Sequence, residues 1–139
     1  MRYLSIDYGN KNTGLAICDS TETFVSPLMA IPTSDTMIGR IIEVVKAENV
    51  GSIVLGLPLN MDDSVGPQAK KVQLFADQLE KHVGVPVIFQ DERLSTFAAK
   101  DKMIAMDLTR KGKKRRIDAI AAAEILQSFL DSKNPPPPA

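Results

Sequence analysis

Apolar residues in the first third of the chain form short runs that predict three strands. The segments RYLSIDYG, TGLAICDS and FVSPLMAIP are apolar, and a short turn rich in Gly and Asn joins the first two. Pro27 lies in the third segment. Because proline donates no backbone hydrogen bond, this strand is expected at a sheet edge or in an irregular position. The order predicts three meandering strands.

The apolar spacing then changes to that of helices alternating with buried strands. Residues 36–48 carry isoleucine and valine at helical spacing, with Ser34 or Asp35 available as the N-cap. The continuous apolar runs GSIVLGLPLN and VPVIFQDE predict strands covered on both faces. Helices are predicted over Gly66–His82, with Pro67 in the first turn, and over FAAKDKMIAMDL and IDAIAAAEILQSFL.

This succession predicts an α/β fold in one domain. The order β-β-β-α-β-α-β-α-α implies a mixed sheet with helices on both faces. With 44% hydrophobic residues the chain can bury a core, and we assign residues 1–131 to a single domain. Residues 132–139, SKNPPPPA, are rich in proline and are expected to be a disordered tail.

Composition excludes several classes of site. The chain has 17 basic and 17 acidic side chains, so its net charge indicates no particular partner. One cysteine, Cys18, and one histidine, His82, allow no intrachain disulfide, no cysteine-based zinc site and no histidine cage. No apolar run approaches the roughly 20 residues that span a membrane, and no signal-peptide pattern is seen, so we expect a cytoplasmic protein without a membrane partner.

Acidic residues stand where the predicted elements begin or end. Asp7 ends the first strand, Asp91 and Glu92 end the last strand, and Asp118 lies near the start of the final helix. Sites in open α/β sheets form at the carboxyl ends of strands, so these acids could converge. Carboxylates without histidine or cysteine suit Mg²⁺ or Mn²⁺. Two such ions, about 3.5–4 Å apart, can support phosphodiester cleavage.

Each acid also has a structural interpretation. Asp7 could belong to a turn, Asp118 could complement the helix dipole, and the pair Asp91 and Glu92 could be surface charges. Adjacent strand residues point to opposite faces, so only one of that pair is expected to face the site. The alternation of side chains along the strand does not indicate which of the two residues faces the site. The functional hypothesis therefore depends on the fact that all of these acids stand at ends of elements that could meet in one site, and not on any one acid alone.

A basic segment directly precedes Asp118. RKGKKRR, predicted as a charged loop, contributes the candidate nucleic-acid-binding residues Arg110, Lys111, Lys113, Lys114, Arg115 and Arg116. Such a run is often only solvated, but it can also hold a phosphate backbone without sequence preference. Lys11 and Arg93 could extend this surface.

Other polar and aromatic residues have two interpretations each. Asn60 could contact phosphate or an ion, or cap the next helix, and Ser95 could bind phosphate or cap a helix. Tyr8, beside Asp7, is the aromatic residue best placed in the sequence to stack on a base. Tyr3 and Phe89 are expected in the core.

Four segments in order resemble the YqgF/RuvX family of ribonuclease H-like proteins. They are DYGNKNTGLA, GLPLNMDDSVGPQA with VQLFADQL, DERLST, and IDAIAAAEILQ, and the resemblance extends from about Arg2 to Leu130. The family is known as pre-16S rRNA nucleases or Holliday-junction-resolvase homologues. The resemblance implies a ribonuclease H-like fold, which we expect as a five-stranded mixed sheet of order 3-2-1-4-5 with strand 2 antiparallel.

The resemblance also implies a reaction and its residues. It implies two-metal phosphodiester hydrolysis with Mg²⁺ or Mn²⁺, in which Asp7, Glu92 and Asp118 are the catalytic acids and metal ligands, with Asp91 in reserve. The implied partners are nucleic acids, either precursor ribosomal RNA or branched DNA, together with ribosomal particles. Both a monomer and a homodimer are compatible with the sequence.

This sequence departs from the family pattern at three points. Asn12 follows Lys11 where the family usually has Lys-Arg, and Asp63 stands where the motif Asn-Met-Asp-Gly has glycine. The strand ending GLPLN lacks the carboxylate of better-known junction resolvases. Glu92 would have to replace that ligand from the neighbouring strand.

These observations favour a metal-dependent nuclease that matures the 5′ end of pre-16S rRNA. The alternatives are a DNA endonuclease that acts on Holliday junctions and a non-catalytic nucleic-acid-binding factor in ribosome assembly or transcription. A sugar kinase or actin-type ATPase also begins with an acid, glycines and a hairpin. Those proteins bind nucleotide between two such domains, whereas 139 residues make one.

Overall fold

The computed structural model describes residues 1–92 and 110–134, with the side chains of the last helix described from Asp118 onward. Within these residues, strands β1 to β5 span Tyr3–Asp7, Asn12–Cys18, Val25–Pro32, Ser52–Leu57 and Val87–Asp91. Helices α1, α2 and α3 span Met37–Ala47, Pro67–Val83 and Arg110–Lys133. The helix predicted over FAAKDKMIAMDL lies outside the described residues.

The strands form one mixed sheet of order β3-β2-β1-β4-β5. Strand β2 is antiparallel to β1 and β3, whereas β4 is parallel to β1 and β5. The predicted order and the antiparallel second strand are confirmed. Pro27 lies in edge strand β3, opposite Ala16, where the register shifts.

Helices cover both faces of the sheet, as predicted. Helices α1 and α2 pack on one face, against a cluster that includes Leu4 and Ile6. Helix α3 packs on the other face, where Ile125 and Leu126 contact a cluster that includes Tyr3 and Cys18. The Cys18 thiol is free and buried. Because alternate strand residues point to opposite faces, Ser5 and Asp7 face α3 together with Tyr3.

The basic segment is helical, and its prediction as a loop is wrong. Helix α3 begins at Arg110, so Arg110–Arg116 form its first two turns. Lysine and arginine are good helix formers, and the segment continues directly into the apolar repeat that packs on the sheet. Asp118 therefore lies in the third turn of α3 rather than at its start.

Strand β5 is less buried than predicted. It is the edge strand next to β4, and Phe89 is 41% exposed rather than part of the core. The continuous apolar run VPVIFQDE suggested a strand covered on both faces, but an edge position leaves one side without a neighbouring strand. Tyr3, by contrast, is buried as expected.

The ends of two helices differ in detail from the prediction. Thr36, rather than Ser34 or Asp35, is the N-cap of α1, and it makes no side-chain cap bond. Helix α3 continues through Lys133, whose ammonium donates to the Tyr3 hydroxyl at 2.7 Å and to Glu22 at 2.7 Å. In residues 1–92 and 110–134, no helix has the length and hydropathy to traverse a lipid bilayer.

Candidate active site

Asp7 lies at the carboxyl end of β1, in the centre of the sheet. Its neighbours are β2 on one side, where Gly14 is the register partner of Asp7, and β4 on the other. The side chain is partly buried and points to the face that α3 covers. Asp7 thus occupies the position that sites take in open α/β sheets.

Glu92 reaches Asp7 from two strands away. It directly follows β5, and its side chain passes over Gly56 of the intervening strand β4. A β-carbon at Gly56 would lie 3.2 Å from Cγ and 3.2 Å from Oε1 of Glu92, and 2.6 Å from Cδ1 of Ile125. The missing side chain at Gly56 therefore leaves the space through which Glu92 crosses β4.

The carboxyl group of Glu92 is hydrogen-bonded to Asp7 and holds its proton tightly. Burial, as the largest cause, together with the hydrogen bond to Asp7 and the charges of Asp7 and Asp91, raises the pKa of Glu92 to about 9. A carboxyl that remains protonated at neutral pH can donate a hydrogen bond to a neighbouring carboxylate. Glu92 is thus neutral in the protein without a cation.

Helix α3 brings Asp118 to the same edge of the sheet. A β-carbon at Gly14 would collide with the backbone carbonyl of Asp118, so the helix lies directly on β2 beside the partner of Asp7. One turn later, the buried hydroxyl of Ser5 donates to the carbonyl of Ala122 at 2.5 Å. These two contacts fix the position of Asp118 along the direction of β1. The Oδ2 atom of Asp118 is shielded from solvent.

The donor set is that of a hard divalent cation. Asp7 and Glu92 offer carboxylate oxygens, which Mg²⁺ and Mn²⁺ prefer, and a cation beside them would offset their mutual repulsion. Within residues 1–92 and 110–134, no three carboxylate, imidazole or thiol groups form a cluster that could hold a metal ion. In the described residues, Glu92 is thus hydrogen-bonded to Asp7. Asp118 is placed near them because its backbone packs on Gly14, the register partner of Asp7.

The remaining predicted residues are only partly described. Asp91 ends β5 opposite Leu57, and its charge acts on Glu92. Lys11 is exposed in the turn after β1, and Asn60 donates to Ser64 at 2.9 Å within the loop after β4. Arg93 and Ser95 lie outside the described residues. The side chains of the basic residues in Arg110–Arg116 also lie outside them.

Two glycines and a serine that position these acids were not identified from the sequence. Gly14 leaves space for the backbone of α3, and Gly56 leaves space for the side chain of Glu92. Ser5 donates a hydrogen bond to the carbonyl of Ala122. A glycine inside an otherwise apolar strand is itself a signal of close approach by another group. That signal marks both glycines, although it does not identify what approaches.

Comparison with known proteins finds relatives that match almost the whole chain. The chain is 41% identical over 135 residues to a protein of Roseiflexus named as a pre-16S rRNA nuclease, covering 95% of each chain. It is 42% identical over 137 residues to a protein of the same name from Bacillus cereus, covering 96% of this chain and all of the relative.

Solved structures share the fold. RuvC of Thermus thermophilus, bound to a Holliday junction substrate, superposes with a TM-score of 0.58 at 14% identity, covering 96% of both chains. The fowlpox virus Holliday junction resolvase gives 0.55 at 18% identity, covering 95% of this chain and 99% of that one. Residues 1–132 match the family model described as "RuvX: Holliday junction resolvase". The chain belongs to the RuvX family.

Proposed function

We propose that this protein is a metal-dependent nuclease that hydrolyses phosphodiester bonds in structured nucleic acid and matures the 5′ end of pre-16S rRNA. The observation that carries the proposal is the hydrogen-bonded pair Glu92 and Asp7 at the carboxyl edge of the sheet. Two acids held together in a partly buried site are typical of catalytic centres. The ribosomal substrate is supported by relatives about 40% identical over almost the whole chain.

The proposed ligands of Mg²⁺ or Mn²⁺ are Asp7, Glu92 and Asp118, with Asp91 as the alternative to Glu92. When bound, the ions supply an activated water and stabilise the leaving oxygen. Glu92 must give up its proton before it can act as a ligand. Asp118 contributes its carboxylate from α3, whose height on the sheet is set by Ser5 and Gly14.

Substrate binding is proposed to depend on positive side chains around these acids. Lys11 and Asn60 lie in the turns that follow β1 and β4, at the same sheet edge as Asp7. Arg93, Ser95 and the basic residues of Arg110–Arg116 would hold the phosphate backbone, so affinity should fall steeply with salt. We also propose ribosomal particles as partners, the cytoplasm as the location, and either a monomer or a homodimer as the active form.

Replacing Asp7 tests the proposal. Asp7→Asn should retain the fold by circular dichroism, lose cleavage in Mg²⁺ and Mn²⁺, and bind Mn²⁺ more weakly by calorimetry. Asp77→Asn, which changes an exposed acid on α2, is the matched control and should cut normally. Unchanged turnover in Asp7→Asn would remove Asp7 from catalysis.

A second substrate class is supported by the family description, which names Holliday junction resolvases. A panel of single-stranded RNA, precursor rRNA ends and four-way DNA junctions, each with and without Mn²⁺, separates the two classes. Selective cutting of the precursor supports the ribosomal role, whereas selective cutting of junctions supports resolution. Binding without cutting in every divalent metal would leave a non-catalytic factor.

A further inference from the structure

A cavity of about 370 Å³ lies on the face of the sheet opposite the acids. It is bounded by the end of β1, the N-terminal end of α1 and helix α2. Tyr8 directly follows Asp7 and packs on the α1 and α2 side, where its ring centroid lies 4.9 Å from that of Phe75. The residue next to the proposed metal ligand therefore lines a separate cavity, which we call the Tyr8 pocket.

Hydrogen bonds tie this pocket to the turn that follows Asp7. Thr33 donates to the carbonyl of Gly9 at 2.7 Å and shares a hydrogen bond with Thr13 at 2.7 Å. Lys71 donates to Asn10 at 3.4 Å from the other side. The turn that leads from Asp7 past the pocket is thus held by hydrogen bonds from both β3 and α2.

The lining combines three kinds of chemistry. Tyr8, Phe75 and Leu74 supply an apolar surface, and Leu74 is 66% exposed. Asp35 and Gln78 supply oxygens that can accept hydrogen bonds, and Lys71 supplies an ammonium group. A flat heteroaromatic ring can stack on the apolar surface, and its amino groups can donate to the acceptors. A neighbouring phosphate can pair with the ammonium group.

We propose that the Tyr8 pocket holds one unpaired nucleotide of the nucleic acid substrate. The base lies against Tyr8 and Leu74, and the adjoining phosphate lies near Lys71. The volume is at the small end of the range of about 300–1,000 Å³ for ligand sites, so it accommodates one nucleotide rather than a duplex. This inference depends on the proposed nuclease function, because the strand held here continues over the Gly9–Lys11 turn to Asp7.

Binding of a labelled RNA hairpin with a short single-stranded extension tests the inference. The measurement is fluorescence anisotropy in EDTA, with each extension nucleotide replaced in turn by an abasic one. We expect one abasic position to lower the affinity of the wild-type protein about tenfold. Leu74→Ser, at an exposed position that does not endanger the fold, should lower affinity for the intact RNA by a similar factor and lose nothing further at that abasic position.

Two more variants define the remaining contacts. Tyr8→Leu should behave like Leu74→Ser, and Lys71→Gln should weaken binding of intact and abasic RNA alike. Lys70→Gln, an exposed lysine that does not line the pocket, is the matched control and should bind normally. Wild-type affinity in both Leu74→Ser and Tyr8→Leu would overturn the pocket while Asp7-dependent cleavage stands. No loss of affinity at any abasic position, or no binding of the RNA at all in EDTA, would also overturn the pocket, whereas cleavage in Mn²⁺ decides the nuclease proposal separately.

Discussion

Glu92 hydrogen-bonds Asp7 although a whole strand, β4, lies between the strands that carry them. Strand β4 and the residues GLPLN at its end contain no carboxylate. Here the acid comes from the next strand, and Gly56 leaves the room for it. The second acid beside Asp7 is thus supplied by the residue that follows β5 and not by β4.

The raised pKa of Glu92 makes stability depend on pH. The pKa of Glu92 is about 9 in the folded protein but near 4.5 when unfolded, so the folded state binds the extra proton between these values. The free energy of unfolding should therefore fall as pH rises from about 4.5 to about 9, by at most about 1.4 kcal/mol per pH unit from this group. Urea unfolding in EDTA at several pH values measures this slope.

Glu92→Gln isolates that effect, because its amide is neutral and can still donate to Asp7. The variant should match the wild type near pH 5 and exceed its stability at pH 8. Glu80→Gln, an exposed glutamate on α2, is the control and should follow the wild-type curve. Parallel curves for wild type and Glu92→Gln would show that the buried proton is absent.

Gly56→Ala should impair cleavage more than stability. The added methyl group would meet Glu92 at 3.2 Å and Cδ1 of Ile125 at 2.6 Å, and both are side-chain atoms that can move aside. We expect a loss of about 1 kcal/mol in stability and of at least about tenfold in metal-dependent cleavage, since Glu92 is displaced. Gly39→Ala, where nothing lies within 4 Å, is the control. Normal turnover in Gly56→Ala would show that the crossing of Glu92 is not needed.

Gly14→Ala should damage fold and activity together. The obstacle here is the backbone carbonyl of Asp118, which cannot rotate away as a side chain does. Helix α3 must therefore shift off β2, and we expect a loss of about 3 kcal/mol in stability together with loss of cleavage. Urea unfolding and cleavage assays on the same preparation check both. A stable Gly14→Ala protein with normal activity would contradict the close seating of α3.

The strands were predictable because apolar period and turn residues report local structure directly, and their order in the sheet was expected from the family resemblance. The register between Asp7 and Gly14 and the seating of α3 were not, because they depend on contacts between residues far apart in the chain. The acids could be selected as candidates by their positions at strand ends. Only the structure shows that Glu92 forms a hydrogen bond with Asp7.

The basic segment shows a different limit of sequence reasoning. Clustered charge suggested a loop, but charge does not oppose a helix when the residues are Lys and Arg. Its backbone continues α3 up to Asp118, which alters the interpretation of that acid. A dipole role applies only within the first turn, so Asp118 in the third turn is not explained by it.

Asp63→Gly should stabilise the loop after β4. Asp63 has a φ of 69°, which is the left-handed conformation that glycine adopts without strain. We expect a gain of about 0.5 kcal/mol in the free energy of unfolding, measured in urea, with cleavage unchanged. Asp62→Gly is the matched control. It should lose stability, because the Asp62 carboxylate accepts from the backbone N–H of Ser64 at 3.1 Å and from its hydroxyl at 2.5 Å. A loss of stability in Asp63→Gly would mean that the Asp63 side chain contributes more than its backbone strain costs.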